Sequence, residues 1–145
     1  VVADLAKTPF KEKQFGVILN ILSPSNYKEF NRLLKTDGFV VKVVPQSGYL
    51  RELREHLFRQ PEKQTYSNTE TVERFDENLE RVDRSRLSYS INLNQASIQA
   101  LVQMTPLTWS AAEKRVKSFL EKDVARVTVD LDILIGKKLQ TVVGK

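Results

Sequence analysis

Val17-Ile18-Leu19-Asn20-Ile21-Leu22 and, further on, Phe39-Val40-Val41-Lys42-Val43-Val44 decide the fold. Both runs have strand length and are almost continuously apolar, which predicts strands buried on both faces and therefore a parallel sheet. Between them Tyr27, Phe30, Leu33 and Leu34 fall on one stripe of a helix. Ser25 or Asn26 can cap its start, and Thr36-Asp37-Gly38 supplies a stop and a turn. Strand, helix and strand make a βαβ unit with the usual right-handed crossover.

Working outward, Pro45-Gln46-Ser47-Gly48 reads as a loop at the carboxyl end of the second strand, and Leu50, Leu53 and Leu57 predict a helix over about residues 49–58. His56, four residues after Glu52 on that helix, reads as a solvated surface histidine. Residues 59–86 are polar and patternless apart from a short helix near 70–79, which predicts an excursion over the surface. Leu87-Ser88-Tyr89-Ser90-Ile91-Asn92-Leu93-Asn94 alternates strictly, as a strand with one polar face does. Ile98, Leu101 and Val102 give a helical stripe ending near Met104-Thr105-Pro106. Ser110-Ala111-Ala112-Glu113 has the pattern of a capping box, with Val116, Phe119 and Leu120 as the buried face behind it. A last strand alternates through Val127, Val129, Leu131, Ile133 and Ile135. The chain reads as one α/β domain, or part of one.

At 145 residues, 41% hydrophobic and 28% charged, the composition is that of a globular domain rather than a disordered, fibrous or repetitive chain. No apolar run is long enough to cross a bilayer. Nothing at the start resembles a signal peptide, so a cytoplasmic location and no membrane partner are expected. The absence of Cys excludes a disulfide framework, a thiolate zinc site and a cysteine nucleophile, and the single His56 excludes any mechanism that needs two histidines. A net charge of +5 suits an anionic partner such as nucleic acid.

Four groups of residues could carry chemistry. Asp130 and Asp132 sit two apart on a strand, so their carboxylates point to one face about 7 Å apart. Such a pair could hold a metal or divide acid and base roles, against the plainer reading of a solvated strand face. Arg81, Arg84 and Arg86 could clamp phosphates or simply be solvated surface. Asn20, a polar side chain inside an apolar strand, must find hydrogen-bond partners. It lies at the carboxyl end of a parallel strand, where α/β sheets bind ligands, and either contacts a ligand or ties down the next loop. Met104-Thr105-Pro106-Leu107-Thr108-Trp109 holds the only Met and the only Trp. Exposed, it would stack on a nucleobase, whereas composition favours a buried corner between two helices.

Taken together, Val2-Ala3-Asp4-Leu5, Thr8-Pro9-Phe10 and Phe15-Gly16-Val17-Ile18-Leu19-Asn20 resemble the middle motifs of class I S-adenosylmethionine-dependent methyltransferases. With Leu22-Ser23-Pro24, Val44-Pro45, Tyr49-Leu50-Arg51-Glu52-Leu53 and Val102-Gln103-Met104-Thr105-Pro106 with Trp109, the whole chain resembles the 23S ribosomal RNA (guanine-N1)-methyltransferases. That resemblance implies an α/β fold, the carboxyl-terminal half of a class I (Rossmann-like) domain. Its mixed sheet would have parallel strands followed by antiparallel ones, with helices on the faces. In such a domain the fourth, fifth, seventh and sixth strands lie side by side in that order.

The resemblance further implies S-adenosylmethionine as cofactor and large-subunit ribosomal RNA as partner. Asp4 would bond the cofactor adenine amine and the Leu5 amide its ring, while Asn20 and Ile21 would line the methionine end. Ser23, Pro24, Gly48 and Tyr49 would border the target guanine. Met104, Thr105, Pro106 and Trp109 would form the substrate side of the cleft, with the base drawn out of its stack to reach it. No catalytic base is assignable. Many relatives have Phe-Asp where this chain has Phe15-Gly16. The glycine-rich cofactor loop, the acidic residue for the ribose and a four-cysteine zinc module, the one place where zinc is expected, are absent from these 145 residues. The chain is therefore expected to be the carboxyl-terminal portion of a longer enzyme, inactive alone, with an open fourth-strand edge that invites a homodimer. The competing expectation is a non-catalytic RNA- or protein-binding module of the same fold.

Overall fold

The computed structural model describes residues 1–140, and the chain divides into two compact units. The first comprises Val1–Val44, Asn68–Arg86 and the chain from Asp132 onward, and the second Pro45–Ser67 and Leu87–Leu131. Strands β1 (Phe15–Ile21), β2 (Leu34–Pro45), β3 (Leu79–Asn94) and β4 (Val124–Lys138) form one mixed sheet in the order β1-β2-β4-β3. That is the order expected of the fourth, fifth, seventh and sixth strands. Both long strands, β3 and β4, contribute residues to each unit.

In the first unit β1 and β2 are parallel, with Asn20 opposite Lys42, and α1 (Tyr27–Leu33) joins them. Asn26, rather than Ser25, caps α1 by accepting from the Glu29 amide at 3.0 Å. No turn separates α1 from β2, however. The strand begins at once at Leu34, and Thr36-Asp37-Gly38 lie inside it at a register shift opposite Phe15 and Val17. Gly38 relieves crowding there, because a Cβ would stand 3.0 Å from the Lys35 carbonyl and 3.1 Å from that of Gly16. The core gathers Tyr27, Phe30, Leu34, Val40, Val44 and Leu134 with Val72 and Phe75 of α4 (Thr69–Asn78). β1 is not buried on both faces as its sequence suggested. It lies at the end of the described sheet, and Val17, Leu19 and Ile21 are each more than half exposed.

The second unit packs α2 (Arg51–Leu57), α5 (Gln95–Met104) and α6 (Glu113–Leu120) around Leu53, Leu57, Ile98, Val102, Phe119 and Val127. A short α3 (Pro61–Gln64) comes after α2, and a 3-10 turn, Pro106–Ser110, lies between α5 and α6. Asn94 caps α5 through the Ser97 amide. The capping box expected at Ser110–Glu113 does not form: Ser110 closes the 3-10 turn, and Ala112 stands at the cap with no side-chain bond. His56 is half-buried rather than solvated. Its ring meets Phe119 edge-on at 5.3 Å, and burial pushes its pKa down.

Residues 59–86 are not a patternless excursion, since they contain α3, α4 and the first half of β3. β3 begins eight residues earlier than its alternation announced, because it is an edge strand whose side chains are nearly all exposed and need no apolar period. In β4 the expected faces are exchanged after Val127, which is itself buried. Asp130 and Asp132 are almost fully buried, and Val129, Leu131, Ile133 and Ile135 are only half-buried.

Gly136 of β4 lies over the ring of Phe75, where a Cβ would be 2.7 Å from Cζ and 3.0 Å from Leu79 Cβ. Gly136→Ala should destabilise the protein by about 1–3 kcal/mol, read as a lowered midpoint of urea unfolding at unchanged slope.

Candidate functional site

Within the first unit, Asn20 and the turn after it form one hydrogen-bonded group. Asn20 is 4% exposed, and its Nδ2 donates to Ser23 Oγ at 2.8 Å and to the Pro24 carbonyl at 2.9 Å. Its Oδ1 accepts from Ser25 Oγ and from Lys42 Nζ, and the same ammonium donates to the Ser23 carbonyl at 3.1 Å. This assignment of the amide is chemically forced. An ammonium only donates and a carbonyl only accepts, so Oδ1 must face Lys42 and Nδ2 must face Pro24. The buried amide thus ties down the loop, as one of its two sequence readings held. Leu22, with φ at 50°, takes a left-handed conformation, and its amide bonds the Val43 carbonyl. Ser23, Pro24 and Ile21 are exposed at the carboxyl end of β1.

Lys42 is a site residue that sequence reasoning missed. It is 4% exposed, burial pushes its pKa down, and no carboxylate pairs with it among the described residues. The signal was available, since a lysine within Phe39–Val44 is as anomalous as Asn20 within its own strand.

Asp4 and Leu5 lie in an exposed turn in which Asp4 Oδ1 accepts from the Ala6 amide at 2.9 Å. Beyond that turn the chain is clamped to α1. Buried Glu29 accepts from the Thr8 amide and, at 2.6 Å, from its hydroxyl, while Arg32 bonds Glu29 and donates to the Phe10 carbonyl at 2.8 Å. The Arg32 and Thr8 donors hold the Glu29 carboxyl down to about 2. No hydrogen bond among the described residues joins Asp4 or Leu5 to the Asn20 group.

In the second unit, Gly48 and Tyr49 occupy the loop after β2. The Gly48 amide donates to Asp130 Oδ2 at 2.8 Å, and the Gln46 amide to the Asp130 carbonyl at 2.8 Å. A Cβ on Gly48 would stand 2.7 Å from that carboxylate oxygen, so the close approach requires glycine. Tyr49 is half-buried, burial raises its pKa, and its carbonyl accepts from Arg54, whose guanidinium also stacks on Tyr66 at 5.1 Å. Glu52 receives the Thr128 amide at 2.8 Å and the Thr128 hydroxyl at 2.6 Å. Burial alone would raise the Glu52 carboxyl, but these bonds outweigh it and leave it lowered.

Met104, Thr105, Pro106 and Trp109 share the segment at the end of α5. Thr105 is buried, but Met104 is 67% and Trp109 79% exposed, so the buried corner favoured by composition is not what forms. Thr108 pins the segment by donating to the Val102 and Thr105 carbonyls, each at 3.1 Å.

Two sequence candidates change character. The Asp130 and Asp132 carboxylates are buried structural acceptors rather than a solvated face, Asp132 taking Arg84 at 2.6 Å and Asn68 at 2.8 Å. No cluster of three or more potential ligands for a metal occurs among the described residues. The arginines of β3 are likewise committed inside the chain: Arg81 pairs with Asp76, Arg84 with Asp132, and Arg86 also has a partner. No helix among the described residues is long and apolar enough to cross a membrane.

Comparison with solved structures finds similar folds. A methyltransferase, provisionally so named, from Bacillus halodurans C-125 matches 95% of this chain and 70% of its own, with a TM-score of 0.52 at 12% identity. The MccD protein matches 94% and 66%, with a TM-score of 0.51 at 15% identity. The fold is that of the class I methyltransferases.

No protein-family model matches the chain. Among curated proteins, YxjB of Bacillus subtilis (strain 168), which carries a provisional 23S rRNA (guanine-N1)-methyltransferase name, is 53% identical over 94% of this chain and 49% of its own length. The 23S rRNA (guanine(748)-N1)-methyltransferase of Streptomyces fradiae is 28% identical over 74% of this chain and 39% of its own. By sequence the chain is similar to proteins named 23S rRNA (guanine-N1)-methyltransferases, and it spans between about two fifths and half of their length.

The Glu29 clamp has a defined pH signature. Its folded carboxyl titrates near 2 against an ordinary value of 4.5, so its contribution is complete above about 4.5 and is lost as pH falls toward 2. Glu29→Gln should therefore lower the melting temperature at pH 6, and the gap to the unaltered protein should close between pH 4.5 and 2.

Proposed function

We propose that this chain supplies part of the catalytic domain of an enzyme that transfers methyl from S-adenosylmethionine to N1 of a guanine in large-subunit ribosomal RNA. The observation that carries this reading is the 53% identity to YxjB over 94% of the chain.

The residues at the adenine end fit the cofactor. Asp4 is exposed and commits Oδ1 to its own turn, which leaves Oδ2 to accept from an exocyclic amine, while the Leu5 amide has no partner among the described residues. Asn20 and Ile21 would border the methionine end, Asn20 by fixing the backbone there. When bound, S-adenosylmethionine supplies a methyl group made electrophilic by its sulfonium. Transfer of that methyl to guanine N1 would leave the sulfur neutral and displace the N1 proton. The chain's part is to hold the acceptor in line and exclude water from the transfer. The turn at Ser23-Pro24 and the loop at Gly48-Tyr49 would border the guanine. Met104, Pro106 and Trp109, on a segment anchored by buried Thr105 and by Thr108, offer an exposed surface on which an unstacked base can lie.

The intact gene product, given S-adenosylmethionine and a large-subunit RNA hairpin, should place a methyl group that stops reverse transcription at one guanine. RNA binding without methyl transfer would establish the binding-module alternative, and turnover of a small acceptor alone would exclude ribosomal RNA as substrate. Trp109→Ala should weaken RNA binding by about 1–3 kcal/mol and leave cofactor affinity unchanged, as separate titrations of the two ligands would show.

A further inference from the structure

The group formed by Lys42, Asn20 and Ser23 has a direction. Lys42 donates to Asn20 Oδ1, and Asn20 Nδ2 donates to Ser23 Oγ. Each link is fixed by the one before it, because the ammonium can only donate and the amide then has only its NH2 to offer onward. Ser23 Oγ therefore receives a hydrogen bond from inside the protein, and its own hydrogen has no acceptor among the described residues. Ser23 is exposed, in the turn that leaves the carboxyl end of β1. A hydroxyl held in this way on an exposed residue keeps its hydrogen to donate to a bound group. The buried ammonium at the far end polarises the amide and strengthens that donor.

We propose that Lys42, Asn20 and Ser23 form a relay that presents the Ser23 hydroxyl as a hydrogen-bond donor to the carbonyl oxygen beside the nitrogen being methylated. This rests on the function proposed above. In guanine the carbonyl carbon is bonded to N1, so negative charge builds on its oxygen as the N1 proton departs. A preorganised donor stabilises that charge where it develops. Lys42 and Asn20 are positioning residues, and Ser23 is the group that touches the base. Pro24 and Ser25 complete the arrangement: the Pro24 carbonyl takes the second amide hydrogen, and Ser25 adds a second donor to Oδ1. Together they hold the amide against rotation.

The test uses the intact gene product and a large-subunit RNA hairpin, with Ser23→Ala, Ser23→Thr, Lys42→Met and the Ser23→Ala/Lys42→Met double variant. Methylation at guanine N1 by the unaltered protein is the first readout, and its absence counts against the functional reading rather than the relay. Given that activity, Ser23→Ala should lower kcat about tenfold, the worth of one hydrogen bond, with KM for the cofactor unchanged. Ser23→Thr, which keeps the hydroxyl, should restore most of the rate. Lys42→Met should also lower kcat, and the double variant should be no slower than the slower single variant, because the residues act as one unit. Losses that multiply would show that Lys42 serves structure alone and would overturn the relay. Equal rates for Ser23→Ala and the unaltered protein would overturn it too. Should Lys42→Met fail to fold, the alanine and threonine variants at exposed Ser23 still decide.

Discussion

Lys42 keeps an ammonium out of water in the middle of a parallel strand pair, and the neighbouring chain must supply what water would have given. Asn20, directly across the register, supplies an amide oxygen, and the turn beyond it supplies the Ser23 carbonyl. The course of the chain after β1 is set by that demand. Leu22 is pushed into a left-handed conformation, Ser23 and Pro24 turn outward, and Asn26 then opens α1. A single buried charge thus connects the register of two strands to the shape of the loop that the proposed function uses.

The second unit is organised by acceptors in a comparable way. Asp130 and Glu52 are carboxylates directed at backbone amides, of Gly48 and Thr128 respectively. Bonds of this kind are shorter and stronger than those between neutral groups. They fix the loop after β2 in place of a helix cap, which α2 lacks: Leu50 stands at its start in a left-handed conformation and makes no side-chain cap bond. On either side of the chain's division, a side chain that looks misplaced in its strand is what holds a loop.

Much of the architecture was legible because it is written in apolar periods. The parallel pair, α1, and the stripes of α2, α5 and α6 are announced by residues such as Phe30, Leu53, Ile98 and Phe119, which the structure buries. What escaped was decided by partners distant in sequence. Asp130 and Asp132 look like a solvated face until Gly48, Asn68 and Arg84 are brought to them. The first half of β3 carries charge on a sheet edge, where no alternation is needed, and so reads as loop. Trp109 and Met104 have the composition of a core corner, yet nothing in their types records that Thr108 pins the segment with both side chains outward. Of the site, Asn20 was visible as an anomaly, whereas Lys42 escaped because long lysine stems are so often tolerated beside apolar strands.

The bonds that set the loop after β2 span great stretches of chain. Gly48 and Asp130 are 82 residues apart, and Glu52 and Thr128 are 76 apart. During synthesis at roughly 5–20 residues per second, the loop would leave the ribosome several seconds before either acceptor or donor exists to meet it. Until β4 emerges, α2 has no cap of its own and is too short to persist as an isolated helix. That loop is consequently among the last parts of these residues to acquire its shape, and a nascent chain halted before residue 128 would carry the sequence of the loop without its conformation.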